Sequence, residues 1–125
     1  MSGMDRYRKG WAMRYLREAK AELTAAKKTP YMAAGFILEA LTKAQISIYY
    51  SLGDPTFVVP IVQEAIHNGQ DPKEPILKFL VEIERTLQQL TSCPTLDNEK
   101  TLAQVNEIID FASEIVELFG GEASS

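Results

Sequence analysis

The sequence predicts an all-α protein, an up-and-down bundle of four long or medium helices and one short helix. Apolar residues recur at spacings of three and four in several segments, which is helical periodicity, and no segment alternates apolar and polar residues as a half-buried strand does. Proline and glycine separate these segments. The predicted helices cover residues 5–28, 31–52, 60–68, 72–91 and 98–119.

Length and composition predict one globular domain, residues 1–125, with 1–4 and 121–125 as flexible ends. Hydrophobic residues make up 46% of the chain and charged residues 24%, which are values typical of globular proteins. The single cysteine, Cys93, excludes an intramolecular disulfide. A reducing compartment, and hence a cytoplasmic location, is the simplest interpretation.

The first predicted helix carries one apolar seam, with Trp11 and Tyr15 beside it. The seam residues recur at spacings of four, three, four and three: Ala12, Leu16, Ala19, Leu23 and Ala26. Thr29–Pro30 then breaks the helix, because proline disfavours the α conformation in the residue before it.

The second predicted helix is the centre of the fold, because it is apolar almost all the way round. Its length would suit a membrane span. However, Glu39, Lys43 and Gln45 lie near its middle, and polar groups are costly at that depth. We therefore predict a buried bundle helix and no membrane. Gly53 is expected to end it in the left-handed conformation.

Prolines set the predicted starts of the next two helices. Asp54 and Pro55 suit the N-cap and first position, but Pro60 should break the helix, leaving a turn at 55–59 and a helix over 60–68. A capping box of Asp71, Pro72 and Glu74 predicts a helix from residue 72, with Pro75 tolerated at its fourth position. Its seam consists of Ile76, Leu80, Ile83, Leu87 and Leu90.

The fifth predicted helix has an apolar inner face and an acidic outer face. The inner face consists of Leu102, Val105, Ile109, Ala112, Val116 and Phe119, and the outer face of Glu107, Asp110, Glu114 and Glu117. Because the linkers are short, neighbouring helices should be antiparallel.

No residue set has the pattern of a catalytic, cofactor or metal site. His67 is the only histidine, and it falls at a helix end where the helix dipole favours a cation. A di-iron bundle site needs Glu-x-x-His motifs on facing helices, which one histidine cannot supply. We therefore predict no catalytic residue, no metal ligand and no cofactor.

Charge is divided unevenly along the chain. Residues 1–28 contain eight bases and three acids, net +5, and the other 97 residues contain five bases and fourteen acids, net −9. The candidate contacts for an anion or nucleic acid are Arg6, Lys9, Arg14, Arg17 and Lys20. We favour the alternative of a solvated face, or one that pairs with the acidic face of the fifth helix, because the sequence pI is about 5.0.

The second helix also offers candidate interface residues. Glu39 and Lys43 are four residues apart in the order that favours an ion pair. Tyr49 and Tyr50 end the same helix, and tyrosine suits a surface that is apolar on one side and wet on the other. Contact with a partner subunit and a position at the rim of the core both remain open.

The first half of the chain resembles the HEPN family of small helical domains. The likeness is an amphipathic helix, YLREAKAELTAAKK, a break at a proline, and a long alanine-rich helix, YMAAGFILEALTKAQISIYYSLG. It implies an up-and-down bundle of four or five helices, often a homodimer, working as an RNA-cutting toxin or as a nucleotide-binding partner of a nucleotidyltransferase. The ribonuclease branch has an arginine four to six residues before a histidine, whereas VVPIVQEAI precedes His67, so no catalytic residue is carried over.

Our first functional interpretation is therefore a non-enzymatic bundle that acts through its surface. It would be a homodimer and an adaptor for a protein that handles nucleotides or RNA. The alternative is a tetratricopeptide-like protein-interaction module without nucleotide binding. A divergent HEPN-type ribonuclease is a third and less favoured hypothesis.

Overall fold

The computed structural model describes residues 6–69, 72–92 and 98–120, and it confirms the all-α bundle. The α-helices are α1 (Arg6–Lys28), α2 (Ala33–Leu52), α3 (Pro55–His67), α4 (Pro75–Ser92) and α5 (Asn98–Gly120), and a single 3-10 turn spans Pro30–Met32. The part of the chain that the structure describes contains no strand. Asp71, Cys93 and the predicted flexible ends lie outside the described residues.

Neighbouring helices run antiparallel where side-chain contacts fix their direction. Arg8 of α1 contacts Tyr50 near the end of α2, whereas Glu22 meets Lys43 nearer the middle of α2. On the other side of α1, Lys20 contacts Ser113 and Lys27 contacts Asn106 of α5. The α1–α2 interface is the most extensive, and α5 packs against both helices.

The core seam of α1 is the predicted one, since the same five residues are buried. Alanine dominates where α1 and α2 meet. The alanines with no exposed surface are Ala12, Ala19 and Ala26 of α1, and Ala33, Ala40 and Ala44 of α2. Ile37, Leu41 and Ile48 of α2 supply the large buried side chains. Small residues let the two backbones approach closely, so this seam is packed by alanine and aliphatic groups rather than by rings.

Polar groups inside the bundle are hydrogen-bonded. The buried Gln45 donates its side-chain N–H to Glu84 of α4 at 2.7 Å. Ser47 and Ser51 donate their hydroxyls to carbonyls of their own helix. Tyr49 is buried, and this burial, with the negative charge of Glu84, raises the pKa of its hydroxyl above the ordinary range. The hydrogen bonds of Gln45, Ser47 and Ser51 offset the cost of placing their polar atoms in the core.

Two expectations about α2 need correction. The helix begins at Ala33, because Pro30–Met32 forms a 3-10 turn instead of the first α-turn. Gly53 has φ 167° and ψ −151°, which is extended backbone and not the left-handed conformation. Gly53 therefore connects α2 to Asp54, the N-cap of α3, through an extended backbone, and no residue between the two helices is left-handed.

The predicted break at Pro60 is wrong. The α-helix α3 runs from Pro55 to His67 through Pro60, with Asp54 as N-cap accepting from the Thr56 amide at 2.9 Å. Proline removes one hydrogen bond from the ladder. Here the carbonyl left without that donor belongs to Thr56, which is exposed, as Pro60 is, so water can satisfy it. Gly69, with φ +65°, follows the helix end, and α3 ends within one residue of the predicted end at residue 68.

The predicted start of α4 is three residues too early. The helix begins at Pro75, and the Glu74 carboxylate accepts from the Leu77 amide at 2.7 Å, so Glu74 is the cap. A start at residue 72 would have put Pro75 where the first intrahelical N–H is needed, and proline disfavours the α conformation for Glu74. Pro75 instead occupies the first helical position, where no N–H is required.

The outer helices bury the faces expected of them. Phe79, Leu80 and Ile83 of α4 are buried. In α5, four of the six predicted inner-face residues are buried, Val105, Ile109, Ala112 and Val116, and the other two are partly buried. Within the described ranges, none of the helices has the length and apolar character that crossing a bilayer requires.

Candidate ligand-binding surface

Four aromatic side chains form a cluster where the start of α1 meets the end of α2. We call this set the aromatic cluster: Tyr7, Trp11, Tyr15 and Tyr50. The first three are spaced by four residues on α1, so they share one helix face. Tyr50 reaches them from α2. The cluster exists only because the two helices are antiparallel and in this register.

Three of these rings are nearly parallel. Trp11 and Tyr50 have centroids 6.2 Å apart and planes 19° apart, and Tyr15 and Tyr50 have centroids 6.0 Å apart and planes 12° apart. Trp11 and Tyr15 lie 5.9 Å apart at 30°. All three are partly exposed. The three rings pack against one another at the edge of the bundle, and part of each side chain remains exposed.

Cations surround the aromatic cluster. From Arg6 to Arg17 the sequence has five basic residues and no acidic residue. The guanidinium of Arg14 lies 5.3 Å from the centroid of Trp11, within cation–π range. Arg8 donates to the carbonyl of Tyr50 at 3.3 Å. Arg8 and Arg14 therefore place positive charge beside the rings, although the chain as a whole is acidic.

A depression of about 450 Å³ adjoins the cluster. It is lined by Tyr7, Arg8, Tyr50, Asp54, Pro55 and Thr56. Hydrogen bonds from Thr56, and the nearby Arg8, hold the pKa of Asp54 below its usual value. Desolvation, together with Tyr15, Tyr7 and Asp54, raises the pKa of the Tyr50 hydroxyl above its usual value. The depression therefore offers both hydrogen-bond donors and hydrogen-bond acceptors beside the rings.

The predicted basic set is divided between two sides of α1. Arg14 lies towards α2, beside Trp11 and Glu18. Lys20 lies towards α5, as does Lys27, which is not one of the predicted contacts. Arg6 and Arg17 are exposed, Lys9 is half-buried, and within the described residues no hydrogen bond or ion pair engages Arg17. The structure thus brings Arg14 to the aromatic cluster and leaves Arg17 on the outer face.

The acidic face of α5 remains exposed. Glu107, Asp110, Glu114 and Glu117 all lie on the surface. Where α1 cations reach α5, their acceptors are neutral: Lys20 bonds to Ser113 and Lys27 to Asn106, each at 3.4 Å. In the described part of the chain, these contacts are hydrogen bonds rather than the direct ion pairs that the sequence suggested.

Lys43, a predicted interface residue, is engaged inside the chain. Its Nζ lies 3.3 Å from Glu18, 3.4 Å from Glu22 and 3.9 Å from Glu39. Partial burial alone would lower the pKa of Lys43, but Glu18 and Glu22 outweigh it and raise that pKa. Hydrogen bonds from Arg14 and Lys43 lower the pKa of Glu18. The group is an ion-pair network that fastens α2 to α1.

This network makes stability depend on pH in two directions. A raised lysine pKa contributes stability that is complete below the ordinary lysine value and lost as pH rises through the folded value. A lowered glutamate pKa contributes stability that is complete above its ordinary value, 4.5, and lost as pH falls through the folded value. The network should therefore contribute most between these two limits.

Replacing Lys43 with methionine tests this contribution. Near neutral pH we expect the melting temperature to fall by a few degrees, because three carboxylates are left without their shared cation. As pH falls through the lowered pKa of Glu18, the difference from the parent should shrink, because protonation of that carboxylate removes its ion pair with Lys43 in the parent. Thermal melts followed by circular dichroism measure both. Lys78→Met is the control, because Lys78 is exposed on α4. A loss of melting temperature in Lys43→Met that does not change with pH would contradict the ion-pair interpretation.

The other candidates from the sequence are not part of a constellation. His67 is exposed in the last turn of α3. Tyr49 is buried, so its ring belongs to the core, whereas Tyr50 belongs to the aromatic cluster. Among the described residues, no three histidine, cysteine, aspartate or glutamate side chains are grouped so that they could hold a metal ion.

Sequence reasoning placed Trp11 and Tyr15 beside the seam but missed the aromatic cluster. The available signal was the spacing of four between Tyr7, Trp11 and Tyr15 with basic residues between them. Nothing local links those rings to Tyr50, which is 35 residues beyond Tyr15. A search against protein-family models, curated proteins and solved structures finds no match to this chain.

Proposed function

We propose that this protein is a non-enzymatic binding module, acting as a homodimer, whose basic α1 surface binds RNA or nucleotides. In this role it serves as an adaptor for a partner that handles them, such as a nucleotidyltransferase. The observation that carries the proposal is the run of five basic residues from Arg6 to Arg17, with no acid, beside a partly exposed aromatic cluster. Protein surfaces that bind nucleic acids usually combine basic side chains with aromatic rings.

Three features support an anionic ligand at this surface. Arg6, Arg14 and Arg17 are exposed. The acidic residues of α5 lie on a separate helix face and do not cover them. The hydrogen bonds that α1 lysines make to α5 go to neutral side chains, so the lysine charges are not cancelled at those contacts. A phosphate backbone would therefore meet the exposed charges of Arg6 and Arg17 along the outer side of α1, whereas Arg14 is paired with Glu18.

A direct binding measurement tests the proposal. Fluorescence anisotropy with a labelled single-stranded RNA of about 12 nucleotides should give an affinity that falls steeply with salt. Replacing Arg17 with alanine should weaken binding and reduce the slope of log K against log salt by about 0.7 for each lost phosphate contact. Lys20→Ala should act in the same direction.

Lys78→Ala removes one exposed positive charge from α4 and is the matched control. It should leave both affinity and salt slope nearly unchanged. Absent binding, or equal losses for Lys78→Ala and Arg17→Ala, would remove the proposed ligand. Sedimentation of the same preparation should give twice the monomer mass. A clean monomer at high protein concentration would remove the homodimer from the proposal and leave the ligand in place.

A protein-interaction module is the second candidate, and an apolar groove favours it. The groove, about 390 Å³, lies where α3 and α4 meet the ends of α2 and α5, and it is lined by Leu52, Val58, Ile61, Val62, Glu74, Ile76, Leu77, Leu80 and Phe119. Phe57 and Ile61, one turn apart on α3, are 72% and 56% exposed. Exposed apolar patches mark interaction sites. This candidate becomes the better one if the RNA measurement finds no salt-dependent binding.

A further inference from the structure

The aromatic cluster stands out against the composition of the core beside it. The seam between α1 and α2 is built from fully buried alanines and aliphatic residues. The rings are instead collected at one edge, where Tyr7 is 67% exposed and Trp11, Tyr15 and Tyr50 are partly exposed. An aromatic ring that serves only to pack the core contributes most to stability when it is fully buried, because the contribution scales with the apolar area removed from water. Here part of their area remains available to a ligand.

The orientation of the rings restricts the shape of that ligand. Trp11, Tyr15 and Tyr50 have planes within 12° to 30° of one another and centroids 5.9 to 6.2 Å apart. An aliphatic side chain can pack on rings at any angle, whereas a planar group gains most from parallel faces. The geometry therefore suits a flat, conjugated group that lies over the edge of the bundle.

The charges restrict the ligand further. Arg14 donates a hydrogen bond from Nε to the Glu18 carboxylate at 3.0 Å. Its guanidinium carbon lies over the Trp11 ring, 5.3 Å from the ring centroid. A guanidinium has five N–H donors, so the bond to Glu18 leaves donors on the two terminal nitrogens. Arg17, one turn further along α1, is exposed. Arg14 is thus the cation beside a planar group on the rings, which suits a base attached to a phosphate, and Arg17 on the outer face of α1 is left for the backbone of the same strand.

We propose that Trp11, Tyr15 and Tyr50 stack the unpaired bases of a single-stranded nucleic acid while Arg14 and Arg17 contact its phosphates. This inference rests on the proposed function and adds to it the class of ligand. In a duplex the base faces are covered by neighbouring base pairs, so only a single strand can place bases on these rings. RNA and DNA strands share this chemistry, and the ribose hydroxyl distinguishes them.

Tryptophan fluorescence tests the proposal directly, because Trp11 is the only tryptophan in the chain. The full chain is titrated with four ligands of about 12 nucleotides: a single-stranded RNA, the DNA of the same sequence, the RNA duplex, and an abasic strand with the same phosphates. We expect the single strands to quench Trp11 emission and to bind about tenfold or more tightly than the abasic strand.

Two substitutions keep the reporter while they remove a ring. Tyr15→Leu and Tyr50→Leu should weaken single-strand binding about tenfold each and leave abasic-strand binding unchanged. Tyr15→Phe, which retains the ring, should bind as the parent does. Tyr31→Leu is the matched control, because Tyr31 is 88% exposed and lies at the turn between α1 and α2, the opposite end of both helices. Circular dichroism confirms that each variant is folded.

The outcomes separate this inference from the proposed function. Equal affinity for intact and abasic strands without quenching would overturn base stacking and leave the phosphate-binding function standing. Absence of binding to all four ligands would overturn both. A change in Trp11 emission that depends on protein concentration alone, with no nucleic acid present, would assign the rings to contact between two copies of the chain and overturn the inference.

Discussion

Replacing Leu41 with alanine is expected to lower the free energy of unfolding by about 2–5 kcal/mol. Leu41 has no exposed surface, and it lies midway along α2, the helix that contacts every other helix of the bundle. Truncation removes buried methyl groups and leaves a cavity that the surrounding helices fill only in part. Single domains are typically stable by about 5–15 kcal/mol, so this loss is a large share of the total.

Urea denaturation followed by far-UV circular dichroism measures the loss for Leu41→Ala. The midpoint should move to lower urea while the slope stays constant, because the unfolded chain exposes nearly the same area. Leu118→Ala on α5 is the matched control, since Leu118 is 59% exposed and the chemical change is the same. It should shift the free energy by about 0.5 kcal/mol or less. Equal losses at the two sites would contradict the central position of α2.

Enlarging Ala19 to leucine should also destabilise the bundle, by about 1–3 kcal/mol. Ala19 has no exposed surface and is the middle alanine of the α1 seam, seven residues from both Ala12 and Ala26. The facing seam of α2 is lined by fully buried alanines too. A fully buried alanine leaves no free volume for the three further carbon atoms of leucine, so α1 must move or the leucine must adopt a strained rotamer.

The control for Ala19→Leu lies two residues away. Ala21 is exposed on the same helix, and Ala21→Leu makes the identical change without a neighbour to displace. Alanine and leucine differ little in helix propensity, so this variant should unfold at nearly the parent urea concentration. A loss at Ala21 as large as that at Ala19 would show that the effect comes from the helix itself and not from the α1–α2 seam.

The helices were predictable because their signals are local. The buried set of α1 matched the apolar seam residue by residue, and that of α5 came close to it. The N-cap at Asp54 and the stop at Asn68–Gly69 were also readable, because they depend on a few neighbouring residues. The error at Pro60 depends on solvent exposure, because the carbonyl that loses its donor there is exposed, and exposure is not a property of the local sequence. The error at Pro75 was avoidable from the local sequence, because a helix from residue 72 would need the N–H that proline lacks.

The candidate site was much less predictable. The basic residues of α1 could be named from the sequence, but not their division between the α2 side and the α5 side. Lys43 was assigned with Glu39 from their spacing, whereas Glu18 and Glu22 reach it from another helix. Tyr49 and Tyr50 are adjacent in sequence, yet one is core and the other meets Trp11 and Tyr15.

By itself, the sequence determined the all-α class, the buried faces of α1, α4 and α5, and the concentration of positive charge at the start of the chain. Periodicity, capping and charge are properties of short segments, so no tertiary contact is needed to find them. The tertiary structure alone decided that Tyr50 joins the rings of α1 and that Lys43 is surrounded by carboxylates. Those assemblies depend on the rotation and register of α2 against α1, which the packing of many distant residues sets together.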